Sequence, residues 1–386
     1  MWKKFSIKIL IFTPLIVLFV GGFNLIIDPY DIFDSPKIEG FNANKPEIES
    51  IQRVYKAIKQ NSAKTDILLI GTSRTDRGLD PANKNIKQDA YNSSINSGLP
   101  REYEFYIDTA VKNGAKEVII GVDLFTFYAK EEFIAGFDKT VFDDSIESSK
   151  YIFSHDVFLS SLKTIRSVEQ NSYLKIGLRD PSLSELETKK AGGYKKNFEG
   201  SEKGYFGSHY AKDFDKSQNT HWQAFERILE KVHKRGIKIT LFISPSHARQ
   251  WEVLAIAQGW KMFEEYRRRL IAVNEDVARR NGKEAFVLWD FAGYHPLTTE
   301  TVPDDPKARM KWYWDSSHYK KELGDIVLDR MFDGNFSGGG DYPDFGVKLT
   351  SQNIDAHLSK LRADRTKWRA SHPADVAEIE ALKSKK

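Results

Sequence analysis

The chain has 386 residues, enough for one large domain or two ordinary ones, each with a real core. At 40% hydrophobic and 29% charged its composition is globular, and a net charge of +4 without a long basic stripe gives no ground for a nucleic-acid partner. It contains no cysteine, which excludes disulfides, thiolate metal sites and a cysteine nucleophile.

In chain order, Lys3, Lys4 and Lys8 come first, followed by an uncharged stretch over residues 9–27. About 20 apolar residues cross a bilayer, and a lysine cluster beside them stays cytoplasmic. The segment Phe19-Val20-Gly21-Gly22-Phe23-Asn24 offers no small-x-small cleavage site. Residues 1–28 are therefore expected to be an uncleaved signal anchor, with a cleaved signal peptide as the rival reading. No second span follows, so a single-pass protein of the inner (cytoplasmic) membrane is expected, its body on the periplasmic side.

Asp28-Pro29-Tyr30-Asp31-Ile32-Phe33 reads as a turn leaving the membrane surface, and residues 29–64 as a juxtamembrane linker with one helix near 47–60. Short apolar runs at 67–70, 118–122, 238–243 and 285–289 read as buried strands. Helical patterns at 101–113, 222–234 and 260–281 lie between them and end at Gly114, Gly236 and Gly282. This cadence predicts an α/β domain over 65–335, with a central, mostly parallel sheet covered on both faces. A polar segment around 130–220 breaks the rhythm and reads as an insertion near the active face or a lid. Residues 336–386 read as a glycine-rich link, Ser337-Gly338-Gly339-Gly340-Asp341, and a charged helical tail.

In open parallel sheets, ligands sit beyond the carboxyl ends of the strands. Ser73 in Gly71-Thr72-Ser73-Arg74 follows such an end, as do Asp123, Ser244 to His247, and Asp290. A serine becomes nucleophilic only with a base, and the base needs a partner that holds its tautomer. Asp315 and His318 stand three apart in a loop that begins Trp312-Tyr313-Trp314 and supply that pair. The plainer readings are a turn serine at 73 and an N-cap aspartate for a helix at 320–331. His247 is either a substrate contact or the cap of the helix after it. His209 and His221 show no i,i+4 pairing, so no metal is expected, nor any cofactor.

These blocks resemble the SGNH (GDSL-like) hydrolase superfamily, and more narrowly its membrane-anchored branch associated with polysaccharide O-acetylation and teichoic-acid D-alanylation. The single anchor, the Asp-Pro-Tyr exit, the Tyr91-to-Gly98 block and Ser244-Pro245-Ser246-His247 are similar too. The resemblance implies a three-layer SGNH/flavodoxin-like fold, with Ser73 as nucleophile, His318 as base and Asp315 orienting it. It further implies an oxyanion held by the Ser73 amide and by groups near Asn96 and Gly98. The family block ending Gly-x-Asn-Asp stands here as Gly121-Val122-Asp123, without the asparagine, and Asp123 is free to pair with Arg74 instead. The implied function is an esterase or O-acyltransferase acting on acetyl esters of a cell-envelope polysaccharide, with a multispanning membrane acyltransferase as its candidate partner. The competing expectation is a catalytically inactive glycan-binding or assembly subunit on the same fold.

Overall fold

Ile67–Ile70 carries only aliphatic side chains, and such a run is stable as a strand where both of its faces are covered. In the computed structural model, which describes residues 2–143, 148–168, 171–332 and 342–384, this run forms β1 and is buried throughout. The glycine-rich link at 337–341 lies outside the described residues.

Ala63–Ala135 and Lys175–Lys386 form one compact unit, built on a six-stranded sheet of order β2-β1-β3-β4-β5-β6. Its strands are β1, β2 (Ala90–Asn92), β3 (Glu117–Gly121), β4 (Lys238–Ile243), β5 (Val287–Asp290) and β6 (Val347–Lys348). The first five pair in parallel, and only β6 runs antiparallel, on β5. On one face Ile67, Leu69, Ile119, Phe242 and Trp289 pack with Tyr319, Leu323, Val327 and Leu328 of the helix Lys321–Phe332 and the loop before it. The alternate residues Leu68, Ile70, Val118 and Ile120 are equally buried, and the helices Pro100–Lys112 and Thr220–Arg235 contact the sheet. The result is the α/β arrangement that the alternating pattern predicts.

Two strand boundaries differ from the expectation: β3 begins and ends one residue earlier, and β5 starts at Val287 and includes Asp290. The helix expected at 47–60 is a 3-10 turn, Pro46–Ile51, followed by the α-helix Gln52–Ala63. The tail is two helices, Ile354–Ser371 and Pro373–Ser384, broken where Pro373 cannot continue the first ladder.

Met1–Ser62 and Gly136–Leu174 form the second unit, so the polar segment at 130–220 is divided between the two units. Its helix Trp2–Ile27 is apolar and largely exposed over Phe5–Ile27, consistent with a signal anchor or a signal peptide. The last turns of that helix are built into the unit. Asn24 donates from Nδ2 to the Ile152 carbonyl at 2.8 Å and accepts from the Ser161 hydroxyl at 2.9 Å. Asn42 donates to the Ile26 carbonyl, and Lys45 donates to that of Ile27.

Candidate active site

A strand order that steps from β1 to β2 and then back across to β3 opens a crevice at the carboxyl ends of β1 and β3. Leu69 pairs with Ile119 and Ile70 with Ile120, so three residues beyond the last pair Ser73 follows β1 as Asp123 follows β3. The strands approach closely here. A Cβ on Gly71 would lie 2.2 Å from Thr75 Oγ1, and one on Gly121 would lie 2.4 Å from the same oxygen.

Ser73 is the first residue of the short helix Ser73–Gly78, whose N-cap is Thr72. Ser73 is therefore not the cap, and its hydroxyl points elsewhere. Its Oγ lies 2.8 Å from His318 Nε2, and His318 Nδ1 lies 2.7 Å from Asp315 Oδ2. Asp315 Oδ1 also accepts the amides of Ser317 at 2.8 Å and His318 at 3.1 Å. That role ties Asp315 to its own loop, not to the start of the helix Lys321–Phe332. Burial raises the Asp315 pKa, but His318, Arg77 and the Ser317 amide outweigh it and hold the carboxyl down to about 2. Burial lowers the pKa of His318, opposed by Asp315 and reinforced by Arg77 and Arg74, and the imidazole is neutral at neutral pH. A neutral ring with Nδ1–H donated to Asp315 leaves Nε2 to accept the Ser73 proton.

The loop is an arch. Tyr313 bridges Tyr319, Trp314 N donates to His318 O at 2.9 Å, and Lys320 N donates to Trp312 O at 2.7 Å. The segment after β4 holds it from below: His247 N donates to Ser316 O at 3.0 Å and Tyr313 OH to Pro245 O at 2.7 Å. The helix Lys321–Phe332 that follows the arch also packs closely on the helix that begins at Ser73, since a Cβ on Gly324 would sit 1.7 Å from the Gly78 carbonyl oxygen.

His247 is buried, accepts the Arg249 amide at Nδ1 and donates from Nε2 to the Glu300 carbonyl at 2.8 Å. Burial pushes its pKa down to about 3. It caps the helix Ala248–Gln258 and supports the arch, the second of the two readings offered at His247, and both of its ring nitrogens are engaged there, not turned to a substrate. The Gly98 amide is likewise committed, to the Ile95 carbonyl at 3.0 Å, in a turn where Ser97 takes φ +51°. It does not serve as the expected oxyanion donor. Asn96 stands half-buried one residue before Ser97.

Arg74 and Asp123 form a buried ion pair at 3.0 Å, both side chains almost without exposure. Thr72 Oγ1 donates to the second Asp123 oxygen at 2.5 Å. Arg74 Nε donates to Ser317 Oγ at 3.0 Å and Nη2 to Tyr205 OH at 3.1 Å, and the Tyr205 and Ser317 hydroxyl oxygens are 2.7 Å apart. One guanidinium thus links the β1 turn, the β3 end, the arch and the π-helical segment Tyr205–Lys212. Thr72, Tyr205 and Ser317 were not singled out by the sequence, and nothing in their spacing marks them. With Asp123 ion-paired, one donor beside the Ser73 hydroxyl is the Ser73 amide, which as a first-turn amide has no intrahelical acceptor. The arrangement has the parts of a nucleophile, base and orienting acid at a strand end, with a helix N-terminus beside them.

No protein-family model matches this chain, and no curated protein matches it. A crystal structure from Bacteroides fragilis, described as a "putative acylhydrolase", aligns with 69% of this chain and 86% of its own at 10% identity, with a TM-score of 0.30.

Proposed function

We propose that the chain is a serine esterase or O-acyltransferase that acts on ester groups of a cell-envelope polysaccharide. The observation that carries this reading is the unbroken hydrogen-bond chain Ser73–His318–Asp315, at 2.8 and 2.7 Å. Ser73 Oγ attacks the ester carbonyl while His318 Nε2 takes its proton, and the Ser73 amide faces the developing oxyanion. Collapse expels the alcohol, which receives the proton from His318 and leaves an acyl-Ser73. Water or a sugar hydroxyl then resolves the acyl-enzyme by the same steps in reverse, giving hydrolysis or transfer.

The N-terminal helix acts as an uncleaved anchor in the inner membrane, with the rest of the chain on the periplasmic side. The supporting observation is that Ile16, Val17 and Val20 line a cleft with Phe153 and Phe158, and that Gly21 packs against Phe153, so cleavage near residue 22 would strip these contacts from the unit. An anchored enzyme suits a polymer substrate and an acyl donor delivered by a multispanning membrane acyltransferase.

A second reading, a non-catalytic glycan-binding or assembly subunit, is favoured by the engagement of Asp123 with Arg74 and Thr72, which leaves no side-chain donor at that position. Turnover of p-nitrophenyl acetate separates the two. The enzyme reading expects activity in the natural chain and a fall of roughly 10³-fold or more in Ser73→Ala and His318→Ala. Equal background in all three proteins would sink it.

A further inference from the structure

Beside the candidate site lies a cleft of about 290 Å³ that the reaction steps above do not use. Its position follows from strand register. Ser93 N donates to Leu69 O and Ile95 N to Gly71 O, so the chain beyond β2 runs alongside the chain beyond β1, and Ser97 follows directly on Asn96, the residue that the register sets level with Ser73. Ser97 is one edge of the cleft and Phe125 another, and Phe125 stacks on the guanidinium of Arg74, the residue after the nucleophile. His209 closes the cleft on the side of Tyr205, its Nε2 3.4 Å from Ser97 Oγ. Burial, with Arg74 adding to it, lowers the His209 pKa to about 4, so this wall is uncharged at neutral pH.

Two walls of the cleft are tied together before any ligand arrives. Ala129 bridges Phe214, Lys130 N donates to Asp213 O at 3.1 Å, and Asp215 N donates to Tyr128 O at 2.8 Å. Leu99, Phe125, Ala129, Ile134 and Ala135 make the lining mostly apolar. Its charged members, Glu131 and Asp213, are both acidic, and no lysine or arginine lines it. A sugar ring would bring about one hydroxyl per carbon into a space with few partners for them, which is costly, whereas an alkyl chain brings none.

We propose that this cleft receives the acyl chain of the ester, that it favours a neutral chain longer than acetyl, and that it disfavours a chain ending in a carboxylate. The inference rests on the Ser73 esterase reading and names the acyl class for that site. The volume is near the lower bound of small-molecule sites, so it suits a short chain and not a lipid.

The test uses the full chain in lipid nanodiscs with p-nitrophenyl acetate, butyrate, hexanoate and the succinate half-ester. The expected result is kcat/KM rising about four-fold per added methylene toward hexanoate. The succinate half-ester should be slower than butyrate by about ten-fold, a gap that Glu131→Gln narrows. Ala135→Trp, placed at the rim, should lower the hexanoate-to-acetate ratio by about ten-fold. A flat or falling chain-length series, or an Ala135→Trp ratio equal to that of the natural chain, overturns the proposal. So does a preference that follows the alcohol, when hexyl acetate is compared with ethyl acetate. Absence of turnover with every ester, equal to Ser73→Ala, overturns the esterase reading instead. The cleft is then read by fluorescence titration with methyl hexanoate: saturable binding lost in Ala135→Trp supports an alkyl site, and no binding removes it.

Discussion

At the scale of single residues, the proposed esterase chemistry would be better served by an asparagine amide at Asp123 than by its carboxylate. Restoring the amide has a cost here, because Asp123→Asn leaves the buried Arg74 guanidinium without its counter-charge. Breaking such a pair costs about 3–5 kcal/mol, so urea unfolding of Asp123→Asn should show a loss of that size. A loss within error of zero would mean the pair is not desolvated. His318 gives the second residue-scale expectation. Its pKa lies below the ordinary 6.5, and a base is lost only when protonated, so the acid limb of kcat/KM should fall at a pH below 6.5. A midpoint at or above 6.5 would place another group in control. Ser73, Asp315 and His318 were legible because each sits in a short block with its own signal: a strand running into Gly-Thr-Ser, and an acid and a histidine three apart. Thr72 and Ser317 lie inside those blocks and Tyr205 outside them, but none has a signal of its own, since a hydroxyl acquires its role only from what the fold sets against it.

At the scale of elements, the cadence of strand, helix and glycine marked the longer pieces. Gly236 takes φ +67° at the end of the helix Thr220–Arg235, a conformation that glycine adopts without strain. β2 and β6 escaped notice because three and two residues are too few to show a period. The tail was read as one helix although Pro373 stands at its break, and the residue before it, His372, has the extended φ of −127° that a following proline favours. The contact that sets the site is the crossing of Lys321–Phe332 over Ser73–Gly78 at Gly324 and Gly78. A methyl on Gly324 has nowhere to go, so Gly324→Ala should cost about 1–3 kcal/mol. It should also reduce ester turnover by more than the lost folded fraction accounts for, because the helix would move the arch, and His318 with it, away from Ser73. Turnover that tracks the folded fraction alone, measured by circular dichroism on the same samples, would show that the arch is held by its other contacts.

At the scale of the molecule, the charged tail is not a solvated appendage of its unit. Leu358, Leu361, Trp368 and Ile379 are buried, and Arg249 pairs with Asp375 and Glu378 from the last helix as well as with Glu202. Glu252, fully buried, receives Arg365 and Arg369. Composition showed the alternating charges of these helices, but Arg249 and Glu252 lie more than a hundred residues from the tail partners they meet, so this pairing could not be read from it. Removing residues 353–386 would strip partners from Arg249 and Glu252 together. We expect a truncated chain to lose several degrees of Tm or to fail to accumulate in folded form. A truncated chain with unchanged Tm would make the tail a free surface after all.

Ser73 and His318 are separated by 245 residues of chain, the first just after the opening strand of the sheet and the second on an arch that rests on the segment after β4. During synthesis this separation acts as a timer. A ribosome that has released Ser73 still has β3, β4, β5 and the arch to make, and until then the serine is an ordinary alcohol with no proton acceptor. A nascent or truncated chain that stops short of the arch carries no base for Ser73. Under the proposed esterase reading, the activity belongs only to the finished sheet.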